Sequence, residues 1–213
     1  MQVLLTYFEP FGEDAVNSSE EAARLVPDTV EDTRVIRLRL PVVFQEAGNA
    51  LTEAIATYRP DFVIATGQAG GIPGLHLERV AVNLRDASRP DNGGNQPGDQ
   101  PIVPGGAAAY FATLPVRQIK GALDAAGIPA ALSYSAGTYV CNDVMYTLLS
   151  QMERLGGLGG FLHVPYTPQQ AAEKGGNVPS LSPADAARGL TEAIRVTAQA
   201  LRAGDCGTGK EFS

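Results

Sequence analysis

Cys141 is the residue of this sequence whose surroundings best suit covalent chemistry. It follows a turn of small residues at 133–139, and the apolar residues after it recur at helical spacing: Val144, Met145, Leu148, Leu149 and Met152. This pattern predicts Cys141 at the start of a helix. The N–H groups and the dipole of a helix N-terminus favour a negative charge, and a thiolate is a stronger nucleophile than a thiol. The alternative is a structural cysteine that packs as a small apolar side chain.

A nucleophilic cysteine needs a base, and the sequence has only two histidines. His163 lies in the short apolar strand predicted at 161–164, and the cysteine turn follows the strand predicted at 130–132. In a parallel sheet both would lie at the same carboxyl edge, where His163 could take the thiol proton and later protonate a leaving amine. A structural histidine is the alternative reading. His76 precedes a predicted strand and is the weaker candidate.

A third residue would orient the imidazole and stabilise its charged form. Glu78 interrupts the otherwise apolar face of a strand predicted at 77–84, but periodicity alone selects none of the 23 acidic residues. A zinc site needs three or four close ligands, and Cys141, His163 and His76 share no short ligand spacing. We therefore expect no metal.

Strands and helices alternate along the chain, which predicts a three-layer α/β/α sandwich with a mainly parallel twisted sheet. A single domain is expected from 1 to 203, followed by a disordered tail from 204 to 213. The glycine turn at 67–71, after a buried strand predicted at 61–66, lacks the spacing of a dinucleotide fingerprint, so no cofactor is expected. The segment 85–106 is too long for an idle connection and is expected to form part of the site or an interface.

Composition excludes several classes of partner. The formal net charge is -7 and the isoelectric point is near 4.8, whereas nucleic acids and anionic membranes attract clustered positive charge. No signal peptide and no membrane-spanning segment are expected. Two cysteines, Cys141 and Cys206, cannot form a disulfide framework, and both are expected to be free thiols of a cytoplasmic protein.

Several short blocks, taken together in their order, resemble the pyroglutamyl-peptidase I family, also called pyrrolidone carboxyl peptidases. The blocks are Phe8-Glu9-Pro10-Phe11-Gly12, Gly67-Gln68-Ala69-Gly70-Gly71, Glu78-Arg79-Val80-Ala81 with Asn83, Pro90-Asp91-Asn92, Ala136-Gly137-Thr138-Tyr139-Val140-Cys141-Asn142, and His163-Val164-Pro165-Tyr166. They cover nearly the whole chain up to the last helix. Each block is weak alone, but the ordered set is specific.

The resemblance implies a cysteine peptidase of phosphorylase/hydrolase-like fold that removes N-terminal pyroglutamate (5-oxoproline) from peptides, without a cofactor and commonly as a homotetramer. By match of motif, Cys141 would be the nucleophile, His163 the general base and acid, and Glu78 the residue that orients the imidazole. The matching substrate-binding residues are Phe8, Phe11, Gln68 and Val140. The two phenylalanines would hold the flat lactam ring, and Gln68 would make polar contacts to it.

Four residues, at three places in the chain, depart from the family pattern. Tyr7 replaces the usual glycine before the aromatic loop, Tyr134 replaces an Asn ahead of the cysteine turn, and Ser88-Arg89 stands where an Arg and an aliphatic residue are common. If an arginine assists the oxyanion, its role would have to move to Arg89 or Arg85. Two other functions stay open on the sequence: a nucleoside phosphorylase, which would require phosphate, and a non-catalytic protein that binds pyroglutamyl termini.

Overall fold

A computed structural model of the protein describes residues 1–175 and 177–204. The strands are β1 (Gln2–Phe8), β2 (Thr29–Val30), β3 (Thr33–Leu40), β4 (Phe62–Gln68), β5 (Leu75–Glu78), β6 (Val80–Val82), β7 (Ala109–Phe111), β8 (Ala130–Ser133) and β9 (Leu158–Val164). The helices are α1 (Ser18–Leu25), α2 (Glu46–Tyr58), α3 (Val116–Ala125), α4 (Val140–Leu155), α5 (Pro168–Glu173) and α6 (Pro183–Ala203). Gly204 closes α6 in the left-handed conformation. The rest of the predicted tail, 205–213 with Cys206, lies outside the described residues.

Seven of the described strands form one sheet in the order β2-β3-β1-β4-β9-β5-β8. The four strands β3, β1, β4 and β9 are parallel, β2 and β5 are antiparallel to β3 and β9, and β8 is parallel to β5. The central strand β4 is buried along its whole length, as expected where both faces of a sheet are covered. The prediction of a mainly parallel sheet is confirmed.

Helices cover both faces of this sheet. The helices α1, α3 and α6 pack on one face, against Val3, Leu5, Phe62, Ile64 and Leu162. The helices α2 and α4 pack on the other face, against Leu4, Val63, Ala65 and Phe161. Neighbouring residues of β1 enter different cores because successive side chains of a strand point to opposite faces. The predicted three-layer sandwich is therefore confirmed.

Polar side chains cap the first turns of α1 and α6. Asn17 accepts a hydrogen bond from the N–H of Ser19 at 3.0 Å and so begins α1. Ser182 accepts one from the N–H of Asp185, also at 3.0 Å, and begins α6. None of the helices in the described ranges combines the length and the apolar character needed to cross a membrane.

The single strand predicted at 77–84 was wrong. The chain belongs to the main sheet, as β5, up to Glu78, and then pairs as β6 with β7 in a separate two-stranded sheet. At the break, the N–H of Arg79 donates to the carbonyl of Ser133 at 2.7 Å, and the N–H of Ala112 donates to the carbonyl of Arg79 at 2.9 Å. The sequence pattern of 77–84 predicts one strand. It therefore could not reveal that β5 and β6 pair with different strands.

Gly189 lies in α6 where this helix contacts β5, and a Cβ there would lie 2.3 Å from Cδ1 of the fully buried Leu75. We predict that Gly189→Ala lowers the free energy of unfolding by about 1–3 kcal/mol, because overpacking outweighs the better helix propensity of alanine. Denaturant unfolding followed by circular dichroism measures this change. Gly121→Ala is the matched control in α3, where a Cβ would meet open space, and it should be neutral or stabilise by up to about 1 kcal/mol. Equal effects of the two substitutions would contradict the prediction.

Candidate active site

Cys141 lies at the start of α4, as the sequence predicted. The helix begins at Val140, and Tyr139 is its N-cap residue with extended backbone and no side-chain capping bond. Cys141 is a partly exposed free thiol. The N–H groups of a first helical turn have no acceptor within the helix, so they can bind an anion. The thiol therefore lies beside a site suited to a negatively charged oxygen.

Two buried polar residues directly after Cys141 hold this helix start in place. Asn142 accepts a hydrogen bond from the N–H of Val82 at 3.0 Å and donates to the carbonyl of the same residue at 2.9 Å. Asp143 accepts from the N–H of Gln45 at 3.0 Å and from Nε of Arg85 at 2.7 Å. Both side chains are fully buried. Neither residue was assigned a role from the sequence, because a polar pair is common in any first helical turn.

His163 and Glu78 form a buried pair across the neighbouring strands β9 and β5. Nδ1 of His163 lies 2.7 Å from Oε1 of Glu78, and the side chains are 9% and 1% exposed. Burial by itself lowers the pKa of His163, but hydrogen bonds to Cys141 and Glu78 and the negative charges of both raise this pKa to about 10. The imidazole is therefore protonated at neutral pH, so a positive charge lies in the same cleft as the sulfur of Cys141.

Cys141 and His163 meet, but the reason derived from the sequence was wrong. Strand β8 is parallel to β5, and β5 is antiparallel to β9, so the strand before the cysteine turn runs opposite to β9. The connection 134–139 then brings the chain to the end of β4, beside Gly67, whose partner in β9 is His163. Cys141 and His163 therefore line the same cleft, and Cys141 contributes to raising the pKa of His163.

Gly67 allows the sulfur to reach this position. The residue is inside β4, which extends two residues beyond the predicted strand 61–66, and it is not part of a turn. A Cβ on Gly67 would lie 2.9 Å from Sγ of Cys141 and 2.8 Å from Cζ of Phe161. Real side chains do not pack this closely, so a residue larger than glycine would displace the thiol or the ring.

A small slot opens next to the sulfur, and the four predicted substrate-binding residues all line it. They are Phe8, Phe11, Gln68 and Val140, joined by Asn17, Val42, Tyr139 and Cys141. Gln68 is held by its neighbours: Oε1 accepts from the N–H of Ser18 at 2.9 Å and from Nε2 of Gln170 at 2.8 Å, and its Nε2 donates to Asp14 at 2.7 Å. An amide nitrogen carries two hydrogens, so one N–H of Gln68 is left for a ligand.

Tyr139 forms a wall between the slot and a wider cleft. Its ring lies 5.2 Å from that of Phe44 in an edge-on arrangement and 6.5 Å from that of Phe11, and its hydroxyl donates to the carbonyl of Pro90 at 2.9 Å. Burial raises the pKa of Tyr139. The sequence assigned no role to this residue, although it precedes the helix that carries Cys141.

The wider cleft, of about 470 Å³, contains the reactive groups. Its lining residues come mainly from the ends of β4 and β9, the segment 85–106 and the cysteine turn: Phe11, Gln68, Ala69, Gly70, Asp86, Ser88, Arg89, Ala136, Thr138, Tyr139, Cys141, His163 and Tyr166. Of the residues that depart from the family pattern, Tyr7 packs in the core on the other face and Tyr134 is 66% exposed. Only Ser88 and Arg89 line the cleft.

The weaker histidine candidate, His76, was predicted to precede a strand. It lies instead inside β5, opposite His163 in the strand register. Burial lowers the pKa of His76, the charge of Glu78 opposes this shift, and the charge of His163 adds to it. His76 does not line the cleft. Within residues 1–175 and 177–204, no three His, Cys, Asp or Glu side chains are arranged to hold a metal ion.

The close approach at Gly67 predicts that Gly67→Ala slows alkylation of Cys141 by iodoacetamide by about 10² at neutral pH, because a shift of about 1 Å in a reacting atom has effects of that size. Mass spectrometry of the peptide that contains Cys141 gives the rate and separates it from Cys206. Gly98→Ala is the control, because a Cβ there would meet open space. Wild-type reactivity of the Gly67 variant would disprove the steric role.

Comparison with known proteins places this chain in a family. The family model described as Pyroglutamyl peptidase matches residues 1–200. The pyrrolidone-carboxylate peptidase of Levilactobacillus brevis is 46% identical over 197 residues, which cover 92% of this chain and 96% of the relative. That of Thermococcus kodakarensis is 45% identical over 203 residues, covering 94% and 98%.

Solved structures agree with the sequence relatives. A variant of the pyrrolidone carboxyl peptidase of Pyrococcus furiosus matches with a TM-score of 0.90 at 41% identity, covering 94% of this chain and 100% of that one. Pyroglutamyl peptidase I of Bacillus amyloliquefaciens matches with a TM-score of 0.88 at 41% identity, covering 93% and 97%. The fold expected from the resemblance is thereby confirmed, and the chain belongs to the pyroglutamyl peptidase family.

Proposed function

We propose that the protein is a cysteine exopeptidase that hydrolyses the bond after an N-terminal pyroglutamate residue of peptides. The observation that carries this proposal is the meeting of Cys141 with the buried His163–Glu78 pair at the edge of a slot with aromatic walls. The names of the relatives support the same substrate. Membership in a peptidase family argues against the nucleoside phosphorylase that the sequence left open.

The slot suits the chemistry of a pyroglutamyl residue. This residue has a small, flat lactam ring and no charged amine, so it requires apolar walls and a few fixed hydrogen bonds and no ion pair. Phe8, Phe11 and Val140 provide the apolar surface. The remaining N–H of Gln68 can donate to the lactam carbonyl, and its orientation is fixed by Ser18 and Gln170. An ordinary N-terminal residue would bring a charged ammonium into this apolar surface.

The proposed reaction proceeds through a thioester. The sulfur of Cys141 attacks the pyroglutamyl carbonyl carbon, and the N–H groups at the start of α4 bind the oxygen that becomes negative. His163 donates its proton to the nitrogen of the leaving peptide, and the C–N bond breaks. The imidazole then takes a proton from a water molecule, which attacks the thioester and releases pyroglutamate. The second step restores the thiolate and the imidazolium.

In this reaction Glu78 acts through His163. The carboxylate accepts from Nδ1 of the imidazole and so directs Nε2 to the sulfur. Its negative charge also helps to keep the ring protonated between turnovers. The homotetramer and the cytoplasmic location implied by the resemblance stay predictions of this proposal.

The direct experiment is turnover of a pyroglutamyl chromogenic amide. We predict that Cys141→Ser and His163→Ala each lower kcat/KM by about 10³-fold or more, because each removes a group that takes part in bond making or proton transfer. Iodoacetamide should inactivate the wild type. Cys206→Ser is the matched control for the other thiol and should keep wild-type turnover. Wild-type activity of either altered enzyme would reject the assigned roles, and binding of the substrate without turnover by the wild type would indicate a non-catalytic protein.

The raised pKa of His163 gives a second prediction. The imidazolium is present below the folded-state pKa of about 10 and is lost as the pH rises through that value. Glu78→Gln removes one cause of the upward shift, so the pKa of His163 should fall and the alkaline limb of kcat/KM should move to lower pH. A pH profile with the uncharged amide measures the limb for both proteins. An unmoved limb in the variant would show that Glu78 does not set the charge of His163.

A further inference from the structure

Ser88 and Arg89 are the two cleft residues that depart from the family pattern, and Arg89 is the charged one. Its guanidinium lies over aromatic rings. It is 4.8 Å from the ring centroid of Phe11 and 5.7 Å from that of Tyr139. Stacking on these rings holds a planar cation, and although the guanidinium also interacts with the Tyr139 side chain, one such contact does not use all five of its N–H donors. Arg89 lines the cleft with Cys141 and His163 but does not line the slot.

Other cations near the cleft are already paired. Arg85 binds the buried carboxylate of Asp143 at 2.7 Å, and Lys174 binds Asp14 at 2.7 Å. Among the residues that the structure describes, no carboxylate forms an ion pair with Arg89. The guanidinium therefore presents to whatever occupies the cleft a positive charge that no direct ion pair with a described carboxylate neutralises.

We propose that Arg89 binds a carboxylate of the substrate residue that follows pyroglutamate, so that acidic leaving groups are preferred. This inference rests on the proposed function. With the lactam ring in the slot and its carbonyl at Cys141, the rest of the peptide extends into the cleft, where Arg89 lies. The carboxylate is either an acidic side chain or the C-terminus of a dipeptide. A guanidinium fork matches both geometrically.

Asp86 carries the opposite charge in the same cleft. Its N–H donates to the carbonyl of Thr138 at 3.1 Å, and its carbonyl accepts from the hydroxyl of Thr138 at 2.7 Å, so its backbone is fixed beside the cysteine turn. A carboxylate there repels an acidic leaving group. Removing the charge of Asp86 should strengthen the preference for acidic leaving groups that Arg89 provides. An Asp86 variant should therefore change this preference in the direction opposite to an Arg89 variant.

The competing role for Arg89 is contact with the oxyanion of the reaction. The two roles differ in which substrates they affect. An oxyanion forms on the same carbonyl whatever peptide follows. Loss of an Arg89 contact to this oxyanion would therefore lower kcat by the same factor for all substrates. A bound leaving-group carboxylate changes only the ratio between acidic and neutral substrates, and mainly through KM.

The experiment compares kcat/KM for isosteric pairs of substrates. Pyroglutamyl-aspartyl amide against pyroglutamyl-asparaginyl amide tests a side-chain carboxylate, and pyroglutamyl-alanine against its amide tests a C-terminal one. For at least one pair we expect the wild type to prefer the acid by about tenfold, the effect of one charge-assisted hydrogen bond. Arg89→Gln should remove this preference, Arg89→Lys should keep part of it, Asp86→Asn should increase it, and added salt should weaken it.

Each outcome decides between the readings. Equal acid-to-amide ratios in the wild type and Arg89→Gln would overturn the inference, as would an equal loss for every substrate. If Arg89→Gln does not fold, as judged by circular dichroism, the ratios for Arg89→Lys and Asp86→Asn carry the test, and unchanged ratios in both would overturn it. Failure of the wild type to cleave any of the four substrates would overturn the proposed function itself.

Discussion

The contact between Glu78 and His163 is the constraint on which the site depends. A carboxylate that is 1% exposed is costly unless a cation and hydrogen bonds compensate its charge, and its second oxygen, Oε2, has no hydrogen-bond partner among the described residues. The imidazolium therefore bears most of the compensation. Since the two residues lie on adjacent strands, β5 must run directly beside β9, and this antiparallel pair reverses the strand direction within the site itself.

The sulfur has to be brought to this pair, and buried polar contacts do so. Asn142 anchors α4 to β6 through both edges of its amide, and Asp143 binds two separate segments through Gln45 and Arg85. Gln45 has a positive φ of 65°, a value that favours glycine, so this anchoring tolerates some backbone strain. Gly67 completes the arrangement by leaving room for the sulfur. The position of Cys141 thus depends on the hydrogen bonds of Asn142 and Asp143 and on the space left by Gly67, and not on the helix alone.

The sequence predicted what is local and missed what depends on strand orientation. Helical spacing after Cys141 located the start of α4 because periodicity is a property of one segment. The partners of β5 and β8 are chosen by contacts distant in sequence, so the reversed strands were not predicted. Cys141 and His163 meet as expected, but the argument from parallel strands that brought them together was wrong. Glu78 was selected by family resemblance, since periodicity alone did not distinguish it from the other acidic residues of the chain. Gly67 was assigned to a turn because glycine in a strand and glycine in a turn look alike in one sequence.

The slot and the cleft around Cys141 are lined by different parts of the chain, and this difference bears on substrate specificity. The slot is formed by β1, β4 and the start of α4, where a change of side chain disturbs the core. The cleft includes Asp86, Ser88 and Arg89 on an exposed part of the segment 85–106, whose chain path is held separately by Asp91, which accepts hydrogen bonds from Phe44, Gly93 and Asn95. The exposed side chains of Asp86, Ser88 and Arg89 can therefore vary without altering the buried slot residues Phe8, Gln68 and Val140. In the proposed function, recognition of the ring is thus tied to the fold, whereas recognition of the leaving peptide depends on exposed side chains, of which Arg89 is the one we propose for this chain.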